Sequence, residues 1–179
     1  MPASELPPET PLTTPPPVPS ASWRADRPLE RRLFLLLVAT FAWFYQWGEH
    51  NEAAHFDLVR ALAEEGRVAI DTFAYNTADA VAYQGHVYSN KGPGLALLAL
   101  PAFFAGGRLL RILALPEPLH YAILCWLTTV AVVGVAGAAI VLLARRSARK
   151  AGLSPLDALL VALALGLGTI LFPFSTLFF

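Results

Sequence analysis

Residues 119–150 read LHYAILCWLTTVAVVGVAGAAIVLLARRSARK, and the fold class follows from this stretch. From Leu119 to Ala144 there is no Asp, Glu, Lys or Arg, and the run ends in Arg145, Arg146, Arg149 and Lys150. About 20 apolar residues suffice for a helix to cross about 30 Å of hydrocarbon. A cationic cluster after such a run marks the cytoplasmic side. The stretch therefore reads as a transmembrane helix over 119–144 whose C-terminal end enters the cytoplasm. Thr128 and Thr129 inside it are expected to bond back to helix carbonyls.

The rest of the chain agrees with that environment. Its 179 residues are 56% hydrophobic and 15% charged, with a mean hydropathy of +0.53. Soluble domains run nearer 45–50% apolar and about 25% charged. Thirteen basic residues balance thirteen acidic ones, so no net charge invites nucleic acid. The lone Cys125 excludes an intrachain disulfide and a Cys-based zinc site. No P-loop, no GxGxxG after a strand and no HExxH occurs, and no Cys/His cluster has metal-ligand spacing. The expected class is an all-α integral membrane protein. It would be a helical transmembrane bundle with an extracytoplasmic loop that carries an amphipathic surface helix and a small hairpin.

Outward from 119–150, three further segments are apolar. In residues 31–48 an apolar run from Leu33 to Gly48 follows Arg24, Arg27, Arg31 and Arg32 and ends in Trp43, Tyr45 and Trp47, a span running from the cytoplasm to the outer interface. Residues 156–177 form another span. Residues 93–115 are interrupted by Pro101, Gly106-Gly107, Arg108 and Arg111. If that run also crossed, the cations at 145–150 would fall outside, so it is read as an interfacial or re-entrant helix. Four full spans stay open as the alternative. The localisation expected is the inner (cell) membrane, multi-pass, with the N-terminus cytoplasmic. Residues 1–30 hold nine of the fifteen prolines and read as a disordered cytoplasmic tail. The last apolar run reaches Phe179 without a polar flank, which predicts the N-terminal part of a longer protein.

The outer loop, 49–92, carries Glu49, Glu52, Asp57, Glu64, Glu65, Asp71 and Asp79 against Arg60, Arg67 and Lys91. Asn51 is expected to cap a helix over about 52–65. Phe56, Val59, Leu62 and Ala63 would meet the membrane surface while Asp57, Arg60 and Glu64 face elsewhere and pair. Gly66 would stop the helix. Val68–Ile70 is strand-like, and Val81–Tyr83 with Val87–Ser89 around Gln84-Gly85 predicts a hairpin. Asp71, Asn76 and Asp79 read as turn residues.

Chemistry concentrates at the two ends of this loop. Glu52, near the membrane surface, is placed to act as a general base toward a hydroxyl, or simply to complement its helix dipole. Lys91, one of two lysines, precedes Gly92-Pro93-Gly94, which would aim it at the interface. It suits a lipid-borne phosphate, or anchors a helix end among headgroups. His50 and His55 read as solvated interfacial histidines, with metal ligation or orientation of a carboxylate as the alternatives.

Together these features resemble the bacterial GT-C glycosyltransferases, in the branch of protein mannosyltransferases and aminoarabinose transferases. The matching stretches are Asn51-Glu52-Ala53-Ala54-His55-Phe56, where that family often has Asp-Glu, and Tyr88-Ser89-Asn90-Lys91-Gly92-Pro93-Gly94-Leu95, like its Lys-Pro-Pro-Leu motif. The resemblance covers about residues 31–179. It implies transfer of a sugar from a polyprenyl-phosphate donor to a lipid, glycan or protein hydroxyl at the outer face. Glu52 would be the base, Lys91 the phosphate contact, and Tyr88, His55 and Asn51 would line the pocket. Some relatives use a divalent cation, for which this sequence shows no metal site. Asn51 departs from the family's acid, and a neutral amide is no base. That departure motivates the alternative of a non-catalytic scaffold, flippase-like or binding subunit, or an inactive truncated product.

Overall fold

The computed structural model describes residues 27–46 and 48–178, and most of the expected tail (1–26), Trp47 and Phe179 lie outside the described residues. The first helix, α1, spans Arg27–Trp43. It starts inside the stretch expected to be tail. Pro28 suits a first turn, where its missing N–H is not needed, and Glu30 finds partners there. Glu30 accepts from Arg145 at 3.2 Å and from Arg146 at 2.8 Å. The start of α1 and the end of the helix bearing both arginines therefore share one end of the molecule.

The second helix, α2 (His50–Arg60), continues as a wider turn, Ala61–Glu65, and stops at Gly66 with φ 66°. Two sequence expectations are corrected here. The cap is Glu49 rather than Asn51, because the Glu49 N–H donates to Glu52 Oε2 at 2.8 Å and helix starts at His50. Nor does α2 lie along a surface with one wet face. Residues 54–59 are all buried, including Asp57 at 0% exposure. Phe56 packs on Phe103, Tyr121 and Phe178, while Asn76 covers Asp57 from the other side. Arg60 does pair with Glu64, at 3.2 Å.

The hairpin forms as β1 (Ala80–Tyr83) and β2 (His86–Ser89), in antiparallel register with Val81 opposite Tyr88. Gln84 (φ 49°) and Gly85 (φ 82°) both take left-handed conformations, as the two central residues of a tight hairpin turn must. Ile70 donates to the Val87 carbonyl at 2.8 Å, so the 68–70 segment lies along β2.

Four helices complete the chain: α3 (Pro93–Ile112), α4 (Glu117–Lys150), α5 (Pro155–Gly168) and α6 (Leu171–Phe174). Among the described residues, α3 and α4 are long and apolar enough to cross a membrane. α3 runs unbroken through Pro101 and the glycine pair. The span expected over 156–177 is instead broken after Gly168. Thr169 is extended (φ −126°, ψ −179°), since a helix through it would drive the Pro173 ring into its carbonyl.

The packing is set by small residues and by that ion pair. Ala158, Ala162 and Gly166, four apart on α5, are buried against α4, and a Cβ at Gly166 would come within 2.7 Å of Val141 Cγ2. Leu37, Phe41, Ala138 and Val141 form the core between α1 and α4. Trp126 Nε1 donates to the Ala42 carbonyl at 2.9 Å, so α1 and α4 are antiparallel. Outward-facing Leu36, Leu143 and Leu160 remain more than half exposed.

Removing one partner of a buried pair strands the other charge, at a cost of about 3–5 kcal/mol. Arg145 is fully buried. Glu30→Gln should therefore lower the thermal midpoint of the protein in nanodiscs, whereas Arg146→Gln, at a half-exposed side chain, should shift it far less.

Candidate functional site

The turn from α1 into α2 builds the first wall of the site. Gln46 donates through its backbone to the Thr176 carbonyl at 3.1 Å and through Nε2 to the Thr176 hydroxyl at 2.9 Å. This brings the segment after α6 beside the start of α2. Gly48 must be glycine, since a Cβ there would overlap the Glu52 side chain. Glu52 lines a cleft of about 50 Å³ with Tyr45, Gln46, Tyr121, Thr129 and Phe178. That is room for one or two waters. One Glu52 oxygen is held by the Glu49 N–H, and the other makes no hydrogen bond among the described residues.

The second wall is the turn from β2 into α3. Lys91 Nζ pairs with Asp79 Oδ2 at 2.9 Å. The segment that leads into Asp79 is tied to α2 through His50, whose carbonyl accepts from the Thr77 hydroxyl at 2.6 Å and whose Nδ1 accepts from the Ala78 N–H at 3.1 Å. The Lys91 ammonium holds the Asp79 carboxyl below its ordinary range.

His55 lies between the walls. It is 9% exposed rather than solvated, its ring sits edge-on to Phe178, and its buried Nδ1 makes no hydrogen bond among the described residues. Burial, first, and the Lys91 charge, second, push its pKa down, while Glu52 pulls it up. The imidazole is thus neutral near pH 7, and it feels both the carboxylate and the ammonium. Asn51 is half-buried in the first turn of α2. Tyr88 is engaged elsewhere, with its ring edge-on to His86, which is bonded to Asp71 at 2.9 Å.

Asp57 is the residue that sequence reading missed. Its Oδ1 accepts from Asn76 Nδ2 at 3.0 Å, and its buried Oδ2 has no partner among the described residues. Burial pushes its pKa up to about 6, against smaller opposing effects of Asn76 and Arg60. The sequence did carry a signal. On a helical period three of the four neighbours of Asp57 are Ala53, Ala54 and Ala61, with Arg60 the fourth, and small residues let other elements close over it. Asp79, which pairs with Lys91, reads in the sequence as a turn residue.

Among the described residues, no group of three or more His, Cys, Asp or Glu side chains is arranged to hold a metal ion. No family model, no curated protein and no solved structure matches this chain.

A carboxyl whose folded pKa is raised favours the folded state below its unfolded value, and that contribution fades as pH rises through the folded value. For Asp57 the window runs from 3.8 to about 6. Asp57→Asn, which keeps the acceptor for Asn76, should stabilise the protein by up to about 3 kcal/mol at pH 7.5. The gain should vanish toward pH 4 in thermal unfolding across that range.

Proposed function

We propose that this chain belongs to a multi-pass membrane glycosyltransferase. It would move a sugar from a polyprenyl-phosphate donor to a lipid, glycan or protein hydroxyl at the outer face of the cell membrane. The observation that carries this reading is the position of His55, acted on at once by Glu52 and Lys91. The carboxylate that opens the 49–92 loop and the lysine that closes it both act electrostatically on this one side chain.

Placement in a bilayer is supported by spacing along α4. Arg145 meets Glu30 at one end and Trp126 meets Ala42 at the other. Those nineteen residues rise about 29 Å at 1.5 Å each, close to the hydrocarbon thickness of about 30 Å. The basic residues at 145–150 and the start of α1 would then face the cytoplasm, with Trp126 and the Glu52–Lys91 region at the outer interface.

In the reaction, Glu52 takes the proton of the acceptor hydroxyl, whose oxygen attacks the anomeric carbon with inversion. The bond from that carbon to the phosphate oxygen breaks, and the lipid phosphate leaves with the electron pair. Lys91 meets the charge that develops on it. The cleft of about 50 Å³ beside Glu52 accommodates a hydroxyl rather than a sugar ring, so the donor sugar would sit outside it.

A second reading, a non-catalytic binding subunit, is favoured by Asn51 in place of an acid and by the Asp79 carboxylate on Lys91.

Two measurements separate these readings. In membranes supplied with a polyprenyl-phosphate sugar, Glu52→Gln and Lys91→Ala should each lower transfer by about a hundredfold or more. Unchanged turnover in both would remove the enzymatic assignment. Asn51→Asp should leave a binding subunit inert, and transfer gained in that variant would count against the second reading.

A further inference from the structure

Another cavity among the described residues lies away from Glu52 and Lys91. It is an open groove of about 1040 Å³ between the end of α2, α3 and the start of α4. One part of its wall is apolar, with Phe103, Phe104 and Leu124, and Phe104 is 55% exposed. The other part carries Arg108 and Arg111 from α3 and His120 from α4. Gly107 leaves the groove its depth between these parts.

The two arginines stand three apart on one helix, a spacing that puts their guanidinium groups on the same face. Both are exposed, and neither makes an ion pair among the described residues. The nearby acids do not cancel them. Glu64 on the same wall is already held by Arg60 through bonds of 3.2 and 3.3 Å, which leaves Glu117, on the wall of an adjoining cavity of about 420 Å³. A guanidinium pair offers parallel N–H donors that match phosphate oxygens. An apolar strip one helical turn away matches an acyl or prenyl chain rather than a sugar. The volume suits a whole amphiphile.

We propose that this groove binds a phosphate-bearing lipid, with the head on Arg108, Arg111 and His120 and the chain along Phe103, Phe104 and Leu124. The site shares no residue with the Glu52–Lys91 region and stands whether or not that region is catalytic.

The test uses the full protein in phosphatidylcholine nanodiscs doped with dioleoyl phosphatidic acid, with bound lipid counted by native mass spectrometry. Phosphatidic acid should be retained saturably over phosphatidylcholine. The double substitution Arg108→Ala with Arg111→Ala should weaken retention about tenfold or more. Phe104→Ser should weaken it as well, and Leu160→Ser, at an exposed position on α5 outside the groove, should leave it unchanged. All four positions lie outside the buried core, so these variants keep the fold. Equal retention of the two lipids, or a double variant that binds like the parent, overturns the proposal. Displacement of the lipid by inorganic phosphate at matching concentration overturns the amphiphile and leaves a bare anion site.

Discussion

Glu30, in the first turn of α1, lies between Arg145 and Arg146 at the far end of α4. Arg145 is fully buried, and a buried guanidinium is tolerated only where its charge is met and its donors are used. That requirement ties one end of α1 to one end of α4. The Trp126–Ala42 bond then fixes the other ends against each other. Once these contacts are made, the chain leaving α1 must emerge beside residues 121–129 of α4. The Glu52 cleft is lined from that same stretch, by Tyr121, Cys125 and Thr129. A contact at the basic end of the molecule thus decides which side chains face the carboxylate at the other.

Small residues carry the constraint onward. Gly166, Ala162 and Ala158 let α5 approach α4 closely, and Gly137 does the same for the segment after α6, since a Cβ there would overlap Ser175. With the chain broken at Thr169, residues 175–178 turn back over the site. Thr176 grips Gln46, and Phe178 closes on both Phe56 and His55. A continuous helix through 177 would have carried Phe178 past these partners. The break is a condition for a closed wall beside His55.

The legibility of the sequence follows the range of the forces involved. The hairpin was readable because Gln84-Gly85 dictates its turn locally, and the stop at Gly66 is equally local. The long apolar stretch on α4 was readable because burial and helical length are both written in one run. The cap at Glu49 was not, since Asn51 is the stronger intrinsic cap and loses only because Glu52 can return a bond to the Glu49 N–H. The reading of Asp57 as a wet residue failed for a different reason. Periodicity measures one face of a helix, whereas α2 is covered by α3, by the Phe73–Thr77 turn and by Phe178 together. Partners so distant in sequence leave no periodic mark. Likewise, Glu52, His55 and Lys91 could be named from the sequence, but the burial of the His55 ring against Phe178 could not.

The charges of this molecule fall into two classes, and burial separates them. The Arg145 side chain is 1% exposed and that of Glu30 is 11%, so their pairing resists exchange with water or ligand. The Lys91 and Asp79 side chains are 21% and 37% exposed. A pair so open to solvent contributes only about 0–1 kcal/mol. A phosphate brings more negative charge than one carboxylate, and several acceptor oxygens in place of two. It can therefore displace Asp79 from the ammonium at small cost, whereas nothing of that kind can reach Arg145. Under the proposed function, Asp79 would hold the Lys91 ammonium in place until a phosphate arrives. The same openness that makes the pair weak as a structural element would leave its lysine usable as a binding one in the proposed reaction.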